Sequence, residues 1–387
     1  MIDFEFHLPT RVIFGKGAEK RVGEQVKAIG SKVLLHYGGG SIKKTGLYDK
    51  VISCLNIAGV PFVELGGVKP NPHLSLVREG VELCKKEGVD CVLAVGGGSV
   101  IDSAKAIAMG VAMDTDIWPC FINRADITAV LPVGCVLTIP SAGSECSCFT
   151  VITNEDGWYK RGTGSPLLFP RFAIINPELS FTLPAYQVGC GCTDILAHLM
   201  ERYFTMTDHV DVSDRMLEGI MRSVLYNAPI TCHNLTDYNS RAELCWAGTL
   251  AHNNLLDRGR HGDWVSHALE QEMSGIYDIA HGAGLAIIFP AWFKYVYRHN
   301  IQRFVQFAVR VMDVVLPYAN EEAIILEGIS RLEKFFTSLG MPTRFSQTGV
   351  PVDRFREMAE KAVQFGTRGN ILSISAIDGE NIYQLAV

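Results

Sequence analysis

The chain has 387 residues, of which 48% are hydrophobic and 20% are charged, so it can bury a large core and is not disordered. This length predicts two or three domains. A net charge of −6 argues against nucleic-acid binding, which needs a basic surface, and no apolar run reaches the roughly 18 residues of a membrane span.

The N-terminal segment contains acidic residues and no uninterrupted apolar core, so we predict no signal peptide. Eleven cysteines are scattered along the chain, which is typical of the reduced, mostly buried thiols of a cytoplasmic protein. The pairs Cys146/Cys148 and Cys190/Cys192 lack the spacing of a structural zinc site.

Strands and helices alternate over the first half of the chain, which predicts βαβ units and a mainly parallel sheet. Residues 1–14 are predicted to form edge strands or a hairpin, and residues 160–170, rich in Gly, Ser and Pro, a loop. The predicted strands are 32–37, 60–65, 90–95, 131–139, 149–153 and 173–175. The predicted helices are 16–29, 48–58, 74–87 and 100–110.

From about Thr182 onward, apolar residues recur with a period of about 3.6 residues, which predicts helices. The predicted helical stretches are 193–205, 211–227, 240–256, 264–273, 301–314 and 321–339. The sequence thus predicts an α/β dinucleotide-binding domain over residues 1–182 and an all-α metal-binding domain over 183–387.

Two of the predicted strands run directly into glycine-rich turns. Residues 96–99, Gly-Gly-Gly-Ser, open a helix whose backbone N–H groups and dipole can hold a phosphate, although a tight strand-to-helix turn is the alternative. Asp102, one turn into that helix, suits a hydrogen bond to a ribose hydroxyl.

The earlier turn, residues 38–41, closes the first βα unit, near the expected position of the adenosine ribose. An acidic residue there would bind the ribose diol and repel a 2′-phosphate, but positions 38–42 hold none. With Ser41, Lys43 and Lys44 nearby, this favours NADP(H) over NAD(H).

A third set of residues has the chemistry of a metal site. Asp194 and His198 lie four residues apart on one face of a predicted helix, although alone they could be a polar helix edge. His267 and His281 would be about 21 Å apart on an unbroken helix, so we predict that the helix ends at Gly275 and a loop returns His281.

One carboxylate and three imidazoles suit Fe²⁺, Zn²⁺, Co²⁺ or Mn²⁺ rather than Ca²⁺ or Mg²⁺. Such an ion would bind an alcohol oxygen and lower its pKa, which favours hydride donation to a nicotinamide. Glu201 and Glu272 could support the imidazoles, but we predict that both are solvent-facing helix charges.

These motifs together resemble the iron-containing, or group III, alcohol dehydrogenase family, and most closely its butanol dehydrogenase and aldehyde reductase branch. The resemblance covers essentially the whole chain. The motifs are Phe14-Gly15, the stretch from Gly38 to Gly46, Pro70-Asn71-Pro72, the stretch from Gly96 to Lys105, Ser141-Ala142-Gly143-Ser144-Glu145, Asp194-x-x-x-His198 and Ala280-His281-Gly282.

The resemblance implies a dinucleotide-binding domain, a helical domain and a cleft between them. It implies an Fe²⁺ or Zn²⁺ site that acts in catalysis, with the ligands Asp194, His198, His267 and His281. It places NAD(P) contacts on the turns named above and beyond them, at Gly38, Gly39, Gly40, Ser41, Asn71, Gly97, Gly98, Ser99, Asp102, Thr138, Ser147, Lys160 and Thr182.

We therefore expect a cytoplasmic NAD(P)-dependent alcohol dehydrogenase or aldehyde reductase that acts on small primary alcohols or aldehydes such as butanol and butanal, with NADP preferred. No nucleic-acid or membrane partner is expected, and the resemblance implies a homodimer or larger homo-oligomer. One departure is Gln271, which stands where the family often has a histidine that can relay protons. Proton transfer would then go through water, a ribose hydroxyl or another residue.

Three alternatives remain. A polyol dehydrogenase of the glycerol type, using zinc, would have the same architecture. A dehydroquinate synthase-like lyase would need basic residues around the site, and only Arg202 and residues 258–260 come near. The third is a cofactor-binding protein that has lost activity, which the glutamine at position 271 would suit.

Overall fold

The computed structural model describes residues 1–113, 115–315, 320–366 and 368–387. Its strands are β1 Arg11–Phe14, β2 Val33–Gly38, β3 Phe62–Val68, β4 Cys91–Gly96, β5 Val133–Leu137, β6 Phe149–Asn154, β7 Tyr159–Gly164 and β8 Phe172–Ile175. The helices of the first half are α1 Val22–Lys27, α2 Ser41–Lys44, α3 Leu47–Ala58, α4 Leu74–Glu87, α5 Gly98–Ala112 and α6 Trp118–Phe121. Those of the second half are α7 Ala185–Tyr203, α8 Asp211–His233, α9 Tyr238–His252, α10 Val265–Tyr277, α11 His281–Val296, α12 Ile301–Arg310, α13 Glu321–Ser338, α14 Phe355–Val363 and α15 Ala376–Leu385.

Six strands form one parallel sheet in the order β1-β8-β5-β4-β2-β3, which confirms the predicted α/β class. Successive side chains of a strand point to opposite faces, so the apolar runs of the central strands feed two cores. Leu34 and Val92 pack on the face that includes residues of α4 and α5, whereas Leu35 and Leu93 pack on the face that includes residues of α1 and α3. The sheet is therefore covered on both sides.

Strand β6 does not belong to this sheet, and the predicted loop over residues 160–170 is wrong at its start. β6 pairs antiparallel with β7, which occupies residues 159–164. Gly164, one of the glycines that suggested a loop, lies opposite Phe149 in this pair of strands. A Cβ on Gly164 would come within 2.5 Å of the Phe149 ring, so the strand needs a glycine there for packing. Of the two alternatives predicted for residues 1–14, edge strands or a hairpin, the structure shows a single edge strand, β1.

In the second half, the described residues form helices joined by turns and loops, as predicted, with one isolated bridge between Arg368 and Ile374. The predicted helix end at Gly275 is wrong, because α10 continues to Tyr277. It ends where Asp278 adopts a left-handed backbone with φ 53°, and His281 begins α11 three residues later. A short turn, rather than a long loop, thus returns the chain to His281.

The chain divides into two compact units. One consists of residues 7–183 and 235–253 and contains the sheet; the other consists of residues 1–6, 184–234 and 254–387. Helix α9 belongs to the sheet unit, where Thr249 donates a hydrogen bond of 2.7 Å to buried Glu145. These units differ from the predicted division at 182/183 in residues 1–6, 183 and 235–253. The predicted roles of the two halves, cofactor binding and metal binding, stay predictions.

Lys105 of α5 anchors the segment between β5 and β6. Its ammonium group is fully buried and donates to the carbonyl oxygens of Ser144, Ser147 and Phe149 at 2.7, 2.8 and 2.9 Å. Burial lowers the pKa of Lys105, and the nearby carboxylate of Asp102 opposes that shift. This residue, part of the glycine-turn motif in the sequence, thus holds the segment that carries Ser147.

Replacing Lys105 with Met should destabilise the protein by about 3 kcal/mol, because buried carbonyl groups lose their donor. The free energy of unfolding from denaturant titration measures this. Lys86→Met, at an exposed position of α4, is the matched control and should change stability by less than about 0.5 kcal/mol. Equal losses in both variants would contradict the anchoring role.

Candidate metal centre and cofactor turns

The four predicted ligands converge in the helical unit. Asp194 and His198 lie one turn apart on α7, His267 lies on α10, and His281 is the first residue of α11. Asp194 Oδ1 lies 3.4, 4.0 and 3.7 Å from the Nε2 atoms of His198, His267 and His281. In a tetrahedral zinc site with bonds of about 2.1 Å, ligand atoms are about 3.4 Å apart, so the separations from Asp194 suit one ion. Ligand atoms of Asp194, His267 and His281 also lie within 4.8 Å of one another, a group that does not include His198.

The His267 ring is oriented by a buried carboxylate. Its Nδ1 lies 2.8 Å from Glu201 Oε1, and Glu201 also accepts hydrogen bonds from the backbone N–H groups of Trp264 and His267. With the proton on Nδ1, the Nε2 lone pair points into the site, and this buried atom has no hydrogen-bond partner among the described residues. A metal ion would satisfy it.

The prediction that Glu201 and Glu272 face solvent is wrong. Both are 1% exposed, because α7 and α10 are packed on all sides at these positions. Glu201 contacts the imidazole of His267, whereas Glu272 lies 3.8 Å from the partly buried Lys361 as an ion pair.

Sequence reasoning missed Glu270, whose carboxylate contacts Nδ1 of His281 and is fully buried. Glu270 and Glu272 lie on the same predicted helix, and nothing in the sequence indicates which of them contacts a ligand histidine. The only available signal was its position between His267 and His281.

Glycine at position 282 allows α11 to begin directly against α7. A Cβ there would lie 2.1 Å from the carbonyl oxygen of Cys190, which is backbone and cannot move aside. Cys190 is one turn before Asp194, so this close approach brings His281 to the Asp194 carboxylate. The small-residue start of the helix is thus required by the site.

The predicted cofactor turns lie at the carboxyl ends of two adjacent strands. The turn of residues 38–41 begins at the last residue of β2 and residues 97–99 follow β4, and the two strands pair in parallel. From β2 the chain moves outward to β3, whereas from β4 it moves the other way to β5, so the order reverses between β2 and β4. Ligands of open α/β sheets bind at such a reversal.

The three glycines after β4 have different roles. A Cβ on Gly96 or Gly97 would come within 3 Å of Val100 or Ile139, so packing alone explains these two. A Cβ on Gly98, the first residue of α5, would meet only Ala142 among the described residues, at an ordinary 3.8 Å. The space beside this helix N-terminus suits a phosphate group.

Asp102 has contacts that the sequence did not predict. Its Oδ1 accepts a hydrogen bond of 2.5 Å from Ser144 Oγ and its Oδ2 one of 3.0 Å from the backbone of Val151. Burial raises the pKa of the Asp102 carboxyl group. Asp102 thus holds Ser144 and strand β6 by hydrogen bonds. The predicted contact of Asp102 with a ribose stays a prediction.

The remaining predicted cofactor residues all lie in the sheet unit. Asn71 is buried with a left-handed φ of 53°, and Thr138 directly follows β5. Ser147 and Lys160 are buried, whereas Thr182 is exposed in the turn before α7. Their cofactor contacts stay predictions.

Comparison with known proteins places this architecture in one family. Residues 9–177 match the family described as iron-containing alcohol dehydrogenase, and residues 190–387 match the C-terminal domain of the Fe-containing alcohol dehydrogenase family.

Similar proteins are aligned over nearly their whole length. The probable NADH-dependent butanol dehydrogenase 1 of Bacillus subtilis is 43% identical, over 98% of each chain. The NADPH-dependent aldehyde reductase YqhD of Escherichia coli is 34% identical, over 95% of this chain and 94% of that protein. The crystal structure of NADH-dependent butanol dehydrogenase A from Thermotoga maritima superposes with a TM-score of 0.97 at 40% identity, over 100% and 99% of the chains.

Asp194→Ala should lower the affinity for Zn²⁺ or Fe²⁺ by more than about 100-fold, because it removes the predicted anionic ligand. Loss of a residue that only hydrogen-bonds to a ligand typically costs about 10- to 100-fold, and loss of a ligand should cost more. Competition with a chromophoric chelator measures the dissociation constant. Asp208→Ala, at an exposed position of the same unit, should leave it unchanged. Equal affinity in the two variants would show that Asp194 is no ligand.

Proposed function

The chain belongs to the iron-containing alcohol dehydrogenase family, and we propose that it is a metal-dependent, NAD(P)-linked alcohol dehydrogenase or aldehyde reductase. The observation that carries the proposal is the grouping of Asp194, His267 and His281, whose ligand atoms all lie within 4.8 Å of one another, with His198 Nε2 3.4 Å from Asp194 Oδ1. These four side chains would hold Fe²⁺ or Zn²⁺. When bound, the divalent ion supplies polarisation of the substrate oxygen, and the nicotinamide supplies or accepts the hydride.

The residues of the chain prepare the site for this chemistry. Glu201 and Glu270 accept from Nδ1 of His267 and His281, which leaves the Nε2 lone pair of each ring available to a metal that these residues would hold. Three of the ligands are buried, whereas the His281 side chain remains 25% exposed, so the centre is not sealed from its surroundings. In the sheet unit, the open space at Gly98 would receive the cofactor pyrophosphate.

Gln271 stands at the position where the family often has a histidine that can relay the substrate proton. It lies one turn after His267 on α10, so both residues share a face of the helix. Because an amide does not titrate, we propose that the alcohol proton is exchanged through water or a ribose hydroxyl.

We propose small primary aldehydes and alcohols such as butanal and butanol as substrates, because several similar proteins carry the name butanol dehydrogenase. A polyol dehydrogenase would instead favour glycerol, so kcat/KM across butanol, butanal and glycerol separates the two. Absence of hydride transfer with metal bound would favour an inactive cofactor-binding protein.

A lyase acting on an anionic sugar acid is disfavoured because the arginines near the site already have partners within the protein. Arg202 is buried and paired with Asp257, and Arg260 is buried 2.7 Å from Asp214. Arg258 donates to the backbone oxygens of Asn254 and Glu5. These cations are therefore already engaged within the protein.

We further propose that residues 1–182 serve cofactor binding and residues 183–387 metal binding, and that the protein acts in the cytoplasm as a homodimer or larger homo-oligomer. Within the described residues, the length and apolarity of the helices fall short of what a membrane span requires.

Complete chelation should reduce butanal reduction by more than about 100-fold while NADPH still binds, because the ligands and the cofactor turns are separate sets of residues. Absorbance of NADPH follows turnover, and its fluorescence follows binding. Added Fe²⁺ or Zn²⁺ should restore activity. Full activity in verified metal-free protein would refute the proposal.

The preference for NADPH is proposed from the acid-free turn at residues 38–41, since similar proteins are named for both cofactors. Gly39→Asp tests it, because a Cβ at Gly39 would meet no described atom within 4 Å. The Asp variant should lower the NADPH/NADH ratio of kcat/KM by about tenfold or more through like-charge repulsion.

Gly39→Asn has the same shape without charge and should leave that ratio nearly unchanged. A wild-type ratio that favours NADH, or equal ratios in the Asp and Asn variants, would contradict the proposed preference.

A further inference from the structure

We propose that Glu270 is a positioning residue that fixes His281 for metal binding, and that Gly284 is a glycine because the Glu270 carboxylate occupies the space of its side chain. The inference rests on the proposed metal-dependent function.

Glu270 is held on both sides of its carboxylate. Its Oε2 contacts Nδ1 of His281, and its Oε1 contacts the hydroxyl of Ser274, one turn later on α10. The same hydroxyl lies 3.2 Å from the carbonyl oxygen of Ile279, in the turn between α10 and α11. Glu270 thereby joins the end of α10, the turn and the first residue of α11.

Helix α11 has a glycine, Gly284, where the Glu270 carboxylate packs against it. A Cβ on Gly284 would lie 2.6 Å from Glu270 Oε1 and 2.7 Å from its Cγ, distances that force one of them to move. Gly284 is three residues after His281, on the same face of the helix. The carboxylate thus lies against the first turn of α11, where the helix dipole favours a negative charge.

The contact decides which nitrogen of His281 can bind a metal. A neutral imidazole carries one N–H group, so donation from Nδ1 to Glu270 leaves the lone pair on Nε2. That Nε2 lies 3.7 Å from Asp194 Oδ1. His281 has the most exposed side chain of the four ligands, 25% against 4–7% for the others, so packing constrains its ring least. The hydrogen bond to Glu270 supplies the missing constraint.

Glu270→Gln tests the assignment by removing the charge while keeping the size of the side chain. We expect affinity for Co²⁺, measured by chelator competition, to fall about 10- to 100-fold, the usual effect of losing such a partner. The visible absorption spectrum of bound Co²⁺ should also change, because the His281 ring is no longer held. A purely structural role would not alter that spectrum in folded protein.

Glu272→Gln is the matched control. Glu272 lies two residues away on the same helix and is equally buried, but its carboxylate pairs with Lys361. The substitution removes the same charge from α10 and should leave the Co²⁺ spectrum unchanged and the affinity within about twofold.

Gly284→Ala is an independent variant that keeps every polar group. The added methyl group should displace the Glu270 carboxylate and so weaken Co²⁺ binding and change the spectrum in the same direction as Glu270→Gln. Gly219→Ala controls for glycine replacement in a helix, because a Cβ on Gly219 would meet no described atom within 4 Å. If Glu270→Gln does not fold, as judged by circular dichroism of the metal-free protein, Gly284→Ala decides the question.

Unchanged affinity and spectrum in folded Glu270→Gln, or in Gly284→Ala where that variant decides, would overturn the inference. So would an equal loss in the Glu272→Gln control. Failure of the proposed function is a separate result: wild-type protein would then bind no Co²⁺, or would show no metal-dependent butanal reduction.

Discussion

The arrangement of the helical unit depends on the burial of three carboxylates around one cluster of imidazoles. Asp194, Glu201 and Glu270 are 3%, 1% and 0% exposed, and each lies within contact distance of a ligand histidine. Buried charges are tolerated where they are paired, hydrogen-bonded or bound to a metal. A divalent ion held there would compensate this negative charge, and the carboxylates of Glu201 and Glu270 each contact an Nδ1 atom. The four predicted ligands are therefore only the inner part of a larger buried cluster of charged and polar groups.

This requirement explains several sequence features that have no meaning locally. Gly282 lets α11 approach the backbone of α7, and Gly284 leaves room for the Glu270 carboxylate. Ser274 connects that carboxylate to the turn before α11. The glycine at position 275, in contrast, lies inside α10 and does not end it. Small residues near a site thus have distinct roles, which only their neighbours in space reveal.

In the sheet unit, too, some features follow from local sequence patterns and others depend on neighbours in space. The alternation of apolar runs and helical periods predicted the parallel sheet, because strand and helix periodicity are local properties. Among the glycines after β4, however, two are required by packing against Val100 and Ile139, whereas Gly98 faces open space. Sequence alone treated all three as one phosphate-binding turn. It also predicted a loop at Gly164 of β7, since the Phe149 ring that this glycine accommodates comes from another strand.

The sequence by itself determined the α/β and helical halves, because these depend on local periodicity, and it predicted the glycine turns and the four ligands from short spacings and residue type. It did not determine which acidic residues are buried. Glu201 and Glu272 look like surface charges on their helices, and Glu270 has no distinguishing neighbour in the chain. Burial depends on the packing of α7, α10 and α11 with one another and with the rest of their unit, which no local pattern encodes. Only the tertiary structure decided that Glu201 and Glu270 contact the imidazoles of His267 and His281 while Glu272 pairs with Lys361.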